Sequence, residues 1–459
     1  MTITTPIIPH YQQLIGQPEA LNLEAICVFM ATGFFLGADS YYKDQYVLQP
    51  GYHYDLDSEN QLILSETSYF KWHYTPKERS FETVVREFGD LFEQIIQEQT
   101  LNKHVILPLS GGLDSRTQAV ALSRLNVSTH AYSYAFTGGH DETRYAKKIA
   151  AICEFPFQAM QVPAGYLWKS IEQLAQINAC YSEFTHPRQM AFIEEYKSFG
   201  DVFCLGHWGD VLFDDMGVPD NLSLEGQVAV LYKKVVKKQG LILAERLWQT
   251  WGLSGDFKTY LNQRLYNLLQ AIDIPESANA QVRAFKSMYW APRWTSVNLS
   301  VFESVKPISL PYYDNRMCEF ICSVPERYLA NRQIQIAYIK LRMPELAKVN
   351  WEAQRPFNLY SYKHNKIPWN LPYRVFNKLE RSLKTKPFIQ RNWELQFLGS
   401  ENDRHLKAWL FENQALLELV PKSLVLQVYE DFKNSDGIHE SHAVSMLLTL
   451  SLFAKQAKL

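Results

Sequence analysis

The chain has 459 residues, 47% of them hydrophobic, and its formal net charge at pH 7 is −2. This length and apolar share are sufficient for two or three domains with sizeable cores. The near balance of charge gives no overall electrostatic basis for binding nucleic acid. The most apolar stretch, residues 25–38, is too short to span a bilayer and is interrupted by Thr32 and Gly33.

The six cysteines indicate a reducing compartment. They form no C-x-x-C pair and lie in apolar or aromatic surroundings, so we expect buried, reduced thiols. These residues are Cys27, Cys153, Cys180, Cys204, Cys318 and Cys322. The start of the chain lacks the basic residues of a signal peptide, and we therefore expect a cytoplasmic protein that binds no membrane.

The N-terminal part is predicted to be a small β-rich region. Short strands and turns are expected through residues 21–75, with strands at 34–36, 46–48, 52–56 and 62–64. A long amphipathic helix is predicted from Ser80 to Gln99, because its apolar residues recur at helical spacing. We therefore divide the chain into residues 1–78 and residues 79–459.

Strands and helices alternate from Leu101 onward, which favours an α/β fold with a doubly wound, mainly parallel sheet. Further helices are predicted over residues 224–295 and at the C-terminal end. The alternating elements are a strand at 105–109, a helix at 119–125, a strand at 131–136, a helix at 144–153 and a strand at 201–205.

The most informative segment is the loop Ser110-Gly111-Gly112-Leu113-Asp114-Ser115, which follows the first of these strands and precedes a helix. Its glycines let the backbone approach an anion closely, and the helix offers free N–H groups. The spacing and the lysine of a Walker A loop are missing. Asp114 cannot usefully face phosphate oxygens of its own sign, so we interpret it as a Mg²⁺ ligand. The alternative is a glycine-rich turn with a serine at the helix N-cap.

This loop resembles the pyrophosphate loop of the ATP pyrophosphatase superfamily, and three further segments resemble its asparagine synthetase-like branch. They are residues 33–57, similar to the closing strands of a glutaminase domain; residues 205–213, similar to the second nucleotide loop; and residues 310–314, similar to a Val-Pro-Phe-Leu-Asp segment. The segments follow the family's order along the chain. The resemblance implies a sheet of ATP-pyrophosphatase type with helical C-terminal additions, and ATP and Mg²⁺ as cofactors.

The resemblance also implies which residues bind the nucleotide. They are Leu109, Ser110, Gly111, Gly112, Asp114, Ser115, Tyr134, Phe136 and Gly206. Asp114 and Asp210 would together hold Mg²⁺ on the departing pyrophosphate. For Asp210 the alternative is a residue that only complements a helix N-terminus, and for Tyr134 and Phe136 it is an ordinary core strand.

The chain departs from glutamine-hydrolysing synthetases at its start. The glutaminase of those enzymes uses an N-terminal cysteine, whereas position 2 here is Thr2, and motifs that recognise glutamine are not apparent. We therefore expect residues 1–78 to be a truncated remnant without glutaminase activity. The nitrogen donor would be free ammonia, an amine on another substrate, or ammonia from a separate partner protein.

Further departures concern the reaction itself. His207 stands where the family carries an acidic residue, and an imidazole with a pKa near physiological pH could deprotonate an attacking amine. A loop histidine that caps backbone groups is the alternative. Val211 replaces the usual glutamate, as in β-lactam synthetases and peptide cyclases. Arg355 is the candidate cation for pyrophosphate, and the basic segment 363–391 is either a site for an acidic substrate or a solvated helix.

The resemblance implies an ATP-dependent carbon–nitrogen ligase that adenylates a carboxylate, releases pyrophosphate and yields an amide and AMP. We expect a small-molecule or peptide carboxylate as the substrate, with amide synthesis like that of asparagine biosynthesis. Intramolecular peptide macrolactam or β-lactam formation is the first alternative. A thiolase would need a sulfur-carrying cysteine or an iron–sulfur site, which the cysteine pattern does not suggest. A nucleotide-binding scaffold without catalysis is a further alternative, because the second loop and the N-terminal region have diverged.

Overall fold

The computed structural model describes residues 1–57, 62–141, 143–382 and 388–458. The strands in these ranges are β1 Thr2–Thr4, β2 Leu14–Gly16, β3 Gln45–Val47, β4 Tyr52–Leu56, β5 Ile63–Ser68, β6 Val105–Pro108, β7 Thr129–Phe136, β8 Phe157–Val162, β9 Val202–Cys204 and β10 Ile308–Ser309.

Helices make up most of the remaining structure. They are α1 Leu23–Thr32, α2 Phe81–Gln99, α3 Asp114–Arg124, α4 Thr143–Ile152, α5 Tyr166–Asn178, α6 Gly209–Leu212, α7 Leu224–Val235, α8 Lys238–Thr250, α9 Phe257–Ile272, α10 Ala278–Phe285, α11 Ser296–Glu303, α12 Asn315–Cys322, α13 Glu326–Leu329, α14 Gln333–Arg342, α15 Pro344–Lys348, α16 Leu371–Ser382, α17 Asn392–Phe397, α18 Ser400–Lys407, α19 Gln414–Leu419, α20 Lys422–Lys433 and α21 Glu440–Ala457. A π-helix, Lys286–Thr295, connects α10 to α11.

The central sheet is parallel, with the strand order β10-β9-β6-β7-β8. The chain runs from β6 outward to β7 and β8, then returns to the other side of β6 to form β9 and β10. Because parallel crossovers are right-handed, this reversal places successive helices on opposite faces of the sheet. The predicted doubly wound parallel sheet is confirmed, and its switch point lies between β6 and β9, where open α/β sheets bind ligands.

The residues of β6 explain its central place. Val105, Ile106 and Leu107 are fully buried, as expected of a strand that is covered on both faces. The predicted helix before it is confirmed as α2, whose Ser80 N-cap accepts a hydrogen bond from the Thr83 N–H group. Strands β8 and β10 were not predicted. The sequence of β8, Phe-Gln-Ala-Met-Gln-Val, lacks the strict alternation of polar and apolar residues that marks a strand, and β10 has only two residues.

The N-terminal region differs from the prediction in one helix, one missing strand and two strands, β1 and β2, that were not predicted. Residues 23–32 form helix α1, and the expected strand at 34–36 does not form. Every residue of α1 from Ala25 to Thr32 is buried, so the segment lacks the polar face that marks a surface helix. A short apolar run of this kind does not distinguish a strand from a helix by its periodicity. The strands predicted at 46–48, 52–56 and 62–64 are confirmed, with small shifts, as β3, β4 and β5.

Part of the N-terminal region is built into the main core. Helix α1 packs against α8 and α21. The buried Arg293 of the π-helix donates hydrogen bonds to the carbonyls of Gly37 and Asp39, at 2.7 and 2.5 Å. Strands β2 to β4 contribute a separate small cluster around Ile15 and Tyr54. The boundary between residues 78 and 79 stays a prediction.

The cysteines are all buried and free, as predicted. Burial raises the pKa of the Cys153 and Cys204 thiols to about 12, so both are protonated at neutral pH. Across the described ranges, no helix combines the length and apolar character that a membrane span requires.

Candidate active site

The first loop is held in shape by its two serines. The Ser110 N–H group donates to Ser115 Oγ at 3.0 Å, and the two hydroxyl oxygens lie 3.1 Å apart. The Gly112 N–H group donates to Ser110 Oγ at 3.2 Å. Leu113 occupies the N-cap of α3 and makes no side-chain cap bond. The alternative of a serine N-cap is therefore wrong, and both serines instead brace the loop at the switch point of the sheet.

Gly111 is the tightest position of this loop. A Cβ atom there would lie 2.7 Å from Glu352 Cβ and 3.0 Å from Tyr145 Cβ, closer than real Cβ contacts allow. The Glu352 N–H group also donates to the Gly111 carbonyl at 3.2 Å. The glycine thus lets the segment around residue 352 lie directly against the loop.

We expect Gly111→Ala to weaken ATP binding by about tenfold or more, because relieving the clash displaces the loop by a few tenths of an ångström or moves Glu352. Isothermal titration with a non-hydrolysable ATP analogue measures this effect. Gly112→Ala is the graded comparison, since the close neighbour of its added Cβ is Ser110 Oγ at 3.2 Å. Equal losses in the two variants would show that close packing at Gly111 is not the cause.

A cavity of about 600 Å³ opens beside the loop. Seven of the predicted site residues line it: Leu109, Ser110, Gly111, Tyr134, Phe136, His207 and Arg355. The other predicted residues, Gly112, Asp114, Ser115, Gly206 and Asp210, are not among its lining residues. The structure therefore brings most predicted nucleotide-binding residues to one cavity and leaves the two candidate magnesium ligands outside its wall.

Arg188 was not identified from the sequence, although it lines the same cavity. Its guanidinium carbon lies 5.8 Å from the centre of the Tyr134 ring and 5.7 Å from that of Phe136. The residue stands in a short helical turn between α5 and β9, where no motif marks it. An arginine over these two rings provides a cation beside the aromatic part of the cavity.

Asp114 has partners that the sequence did not predict. Arg332 forms an ion pair with Asp114 Oδ1, and Gln335 Nε2 donates to the same oxygen at 3.0 Å. Arg332 adopts the left-handed backbone conformation, with φ of 59°. Burial raises the pKa of Asp114 to about 6, an effect that Arg332 opposes and the charge of Asp210 increases.

The second loop lies directly against the first. A Cβ atom on Gly206 would be 2.9 Å from Gln118 Oε1 and 3.0 Å from Asp114 Cβ. Burial lowers the pKa of His207 to about 4, an effect that the charge of Asp210 opposes. The expected pKa near physiological pH is therefore wrong for this conformation. The imidazole is neutral at pH 7, and among the described residues its Nδ1 atom has no hydrogen-bond partner.

Asp114 and Asp210 fit a magnesium ion in charge and ligand type. The two carboxylates raise each other's energy, as the effect of Asp210 on the pKa of Asp114 shows, and a divalent cation would relieve that repulsion. Within the described ranges, no cluster of three or more histidine, cysteine or acidic side chains could hold a metal ion alone. A pair of carboxylates suits Mg²⁺, which completes its coordination with water and phosphate oxygens.

The basic segment 363–391 borders the cavity. Tyr373 and Phe388 line it, whereas Trp369 and Phe376 are exposed. Residues 383–387, with two of the predicted lysines, lie outside the described residues. Arg355 is half-buried and lines the cavity together with Glu352, which no motif in the sequence marks.

Comparison with known proteins gives a family and two distant structural neighbours. Residues 87–335 match the asparagine synthase family, whereas no curated protein sequence matches the chain. NMN synthetase from Francisella tularensis is 15% identical over 45% of this chain and 92% of its own, with a TM-score of 0.23. The U34-tRNA thiolase NcsA from Methanococcus maripaludis is 11% identical over 69% of this chain and 85% of its own, with a TM-score of 0.24. These scores are too low to support an argument. The family match spans more than half of the chain, and the protein therefore belongs to the asparagine synthase family.

Proposed function

We propose that this protein is an AMP-forming ligase that joins a carboxylate to ammonia or an amine. Family membership supports ATP-dependent ligase chemistry. The observation that carries the finer proposal is that the loop at Ser110–Ser115 and the loop at Gly206–Asp210 meet at the switch point of the sheet. One loop suits phosphate, and the other presents His207 to the same cavity.

The proposed reaction has two steps. A carboxylate oxygen of the substrate attacks the α-phosphorus of ATP, and pyrophosphate leaves to give an acyl-adenylate. The nitrogen of ammonia or an amine then attacks the acyl carbon, and AMP leaves with the former carboxylate oxygen. Adenylation is needed because a free carboxylate has no good leaving group.

The chain's own residues supply positioning and charge. The loop Ser110–Ser115 would hold phosphate oxygens through the N–H groups that its internal hydrogen bonds leave free, and Arg355 offers a guanidinium at the same cavity. Asp114 and Asp210 would hold Mg²⁺, which when bound would neutralise charge on the departing pyrophosphate. Tyr134 and Phe136 would pack against the adenine.

His207 would remove the proton from the attacking nitrogen. Its imidazole is neutral at pH 7, as a base must be, but the pKa of about 4 makes it a weak proton acceptor unless the charge of Asp210 outweighs the effect of burial. The nearby charge of Asp210 favours the protonated imidazole, so the acidic residue stabilises the product of proton transfer. We further propose that the nitrogen arrives as ammonia or an amine, free or from a partner protein, and that the enzyme works in the cytoplasm.

Exchange of radiolabelled pyrophosphate into ATP tests the first step without knowledge of the nitrogen donor. The purified protein, with ATP and Mg²⁺, is assayed against a panel of carboxylates that begins with L-aspartate. We expect exchange that depends on one class of carboxylate, and AMP rather than ADP when ammonium is added. Formation of ADP with that carboxylate, or an absence of exchange with every carboxylate, would contradict the proposal.

A further inference from the structure

A lysine without an acidic partner lies beside the second loop. Lys286 is half-buried, and within the described residues its Nζ atom makes no hydrogen bond or ion pair. Two indole rings flank it, with ring centres 5.4 Å away for Trp290 and 5.8 Å away for Trp208. Burial without an acidic partner costs a charged group free energy, so this position disfavours the ammonium in the absence of an added anion.

The nearby charged side chains that the structure describes form no ion pair with the Lys286 ammonium, so it can still bind an anion. Asp210 and Asp214 act on Lys286 electrostatically, but neither lies within ion-pair distance. The two neighbouring cations have other partners: Lys234 donates a hydrogen bond to the Met216 carbonyl, and Arg283 is paired with Glu326. Burial lowers the pKa of Lys286 to about 8, and the charges of Asp210 and Asp214 only partly oppose this effect.

An unusual helix brings the lysine and the rings together. Lys286 begins the π-helix, and Trp290 and Trp294 follow at intervals of four residues. The ring centres of Trp290 and Trp294 are 6.4 Å apart, and the Trp290 ring also stacks on the Phe34 ring. Pro292 lacks the N–H group that an α-helix would need, and π-helical turns are frequent at functional sites.

This surface adjoins the nucleotide cavity through His186. His186 lies 4.4 Å from Trp294 between ring centres. The Arg188 N–H group donates to the His186 carbonyl at 2.8 Å, and Arg188 lines the nucleotide cavity, so His186 stands between that cavity and Trp294. Trp290, Trp294 and Lys286 are each partly exposed, so a ligand can reach them from solvent.

We propose that Lys286, Trp290 and Trp294 bind the acid substrate of the ligase, and that this substrate carries a carboxylate beside a planar, apolar group. The role of this ligand as the substrate rests on the proposed function, whereas the existence of the binding site does not. Lys286 pairs with the carboxylate, and the indole rings pack against the apolar part. A small polar acid such as aspartate would leave the rings unused.

Binding without nucleotide tests the site independently of turnover. The protein is titrated with N-acetyl-L-phenylalanine, the acidic aromatic probe, and with N-acetyl-L-phenylalaninamide, its neutral counterpart. Ligand-observed NMR measures the binding of each probe. We expect the acid to bind the wild-type protein and to bind Lys286→Met at least about tenfold more weakly, as loss of a charge-assisted bond predicts. Lys233→Met, an exposed lysine on α7, is the matched control and should bind the acid like the wild type.

Thermal unfolding separates this role from a structural one. We expect Lys286→Met to melt at the same temperature as the wild type or higher, because the change removes a half-buried charge that has no acidic partner among the described residues, and methionine can keep the contacts with the Trp208 and Trp290 rings. Trp290→Leu provides a second variant and should weaken binding of both probes. Equal binding of the acid by Lys286→Met, absence of binding to the wild type, or a lower melting temperature with unchanged binding would each overturn the proposal.

Pyrophosphate is the competing anion, and inorganic pyrophosphate with Mg²⁺ is titrated in parallel. Loss of pyrophosphate binding in Lys286→Met with unchanged binding of the aromatic acid would assign the lysine to the leaving group and overturn the inference. If the acid binds through Lys286 but pyrophosphate exchange fails with every carboxylate, the proposed function is wrong and the site stands. If Lys286→Met supports carboxylate-dependent pyrophosphate exchange at the wild-type rate, the proposed function stands, and the assignment of Lys286 to the substrate site is wrong.

Discussion

Asp114→Asn is expected to abolish AMP formation while leaving the fold intact. The asparagine keeps the shape of the side chain and its contact with Gln335, but it removes one of the two carboxylates that would hold Mg²⁺ on pyrophosphate. We expect the rate of carboxylate-dependent pyrophosphate exchange to fall by at least about 100-fold. A variant that keeps normal exchange would show that Asp114 is not a magnesium ligand.

The same substitution has an expected effect on stability. The pKa of Asp114 in the folded protein, about 6, lies above that of an aspartate in an unfolded chain. The folded state therefore favours the protonated form, and the free energy of unfolding of the wild type decreases as the pH rises through this interval. Asparagine lacks this titration, so we expect Asp114→Asn to be at least as stable as the wild type at pH 7.

Thermal unfolding between pH 5 and pH 8 checks the sign. The advantage of Asp114→Asn over the wild type should shrink as the pH falls below about 6. Asp90→Asn is the matched control, because Asp90 is also paired with an arginine, Arg342, but is exposed. That variant should change neither exchange activity nor the pH dependence of stability, as is usual for surface pairs.

The central sheet and the two loops could be predicted because their signals are local. Strand β6 is a continuous apolar run, and two glycines follow it within four residues, before a helix. Parallel strands place their following loops at the same edge of the sheet, so the predicted residues of β7 and of the second loop converge on one cavity. Sequence order and strand assignment were therefore sufficient to bring Tyr134, Phe136 and His207 together.

The partners of Asp114 could not be predicted because they depend on tertiary packing. Arg332 and Gln335 lie more than 200 residues from Asp114, at the start of α14, and have no motif of their own. Arg188 contacts the aromatic residues of β7 only after the chain has passed through α5. The predicted pKa of His207 was also wrong, because the burial that lowers it depends on the fold and cannot be read from the loop sequence.

Arg116 has no catalytic role in the proposed reaction, yet it holds the site together. Its side chain is fully buried and donates to the carbonyls of Gly111 at 3.1 Å, Val349 at 3.0 Å and Asn350 at 2.9 Å, with a longer bond to Leu346. One guanidinium thus connects the loop Ser110–Ser115 to the segment that leads to Glu352 and Arg355. Its five donors in a planar fork suit this task, which a lysine could not perform.

Arg116→Met is therefore expected to lower the free energy of unfolding by about 3–5 kcal/mol, because it leaves several buried carbonyl groups without donors. Urea denaturation measures the change, and Arg124→Met on the same helix serves as the control. Arg124 is partly exposed and paired with Glu93, so its loss should cost at most about 1 kcal/mol. Equal losses in the two variants would show that the carbonyl contacts of Arg116 contribute no more than a surface pair. If they do connect the two segments, Arg116→Met should also weaken ATP binding, since Gly111 would lose its fixed distance from Arg355.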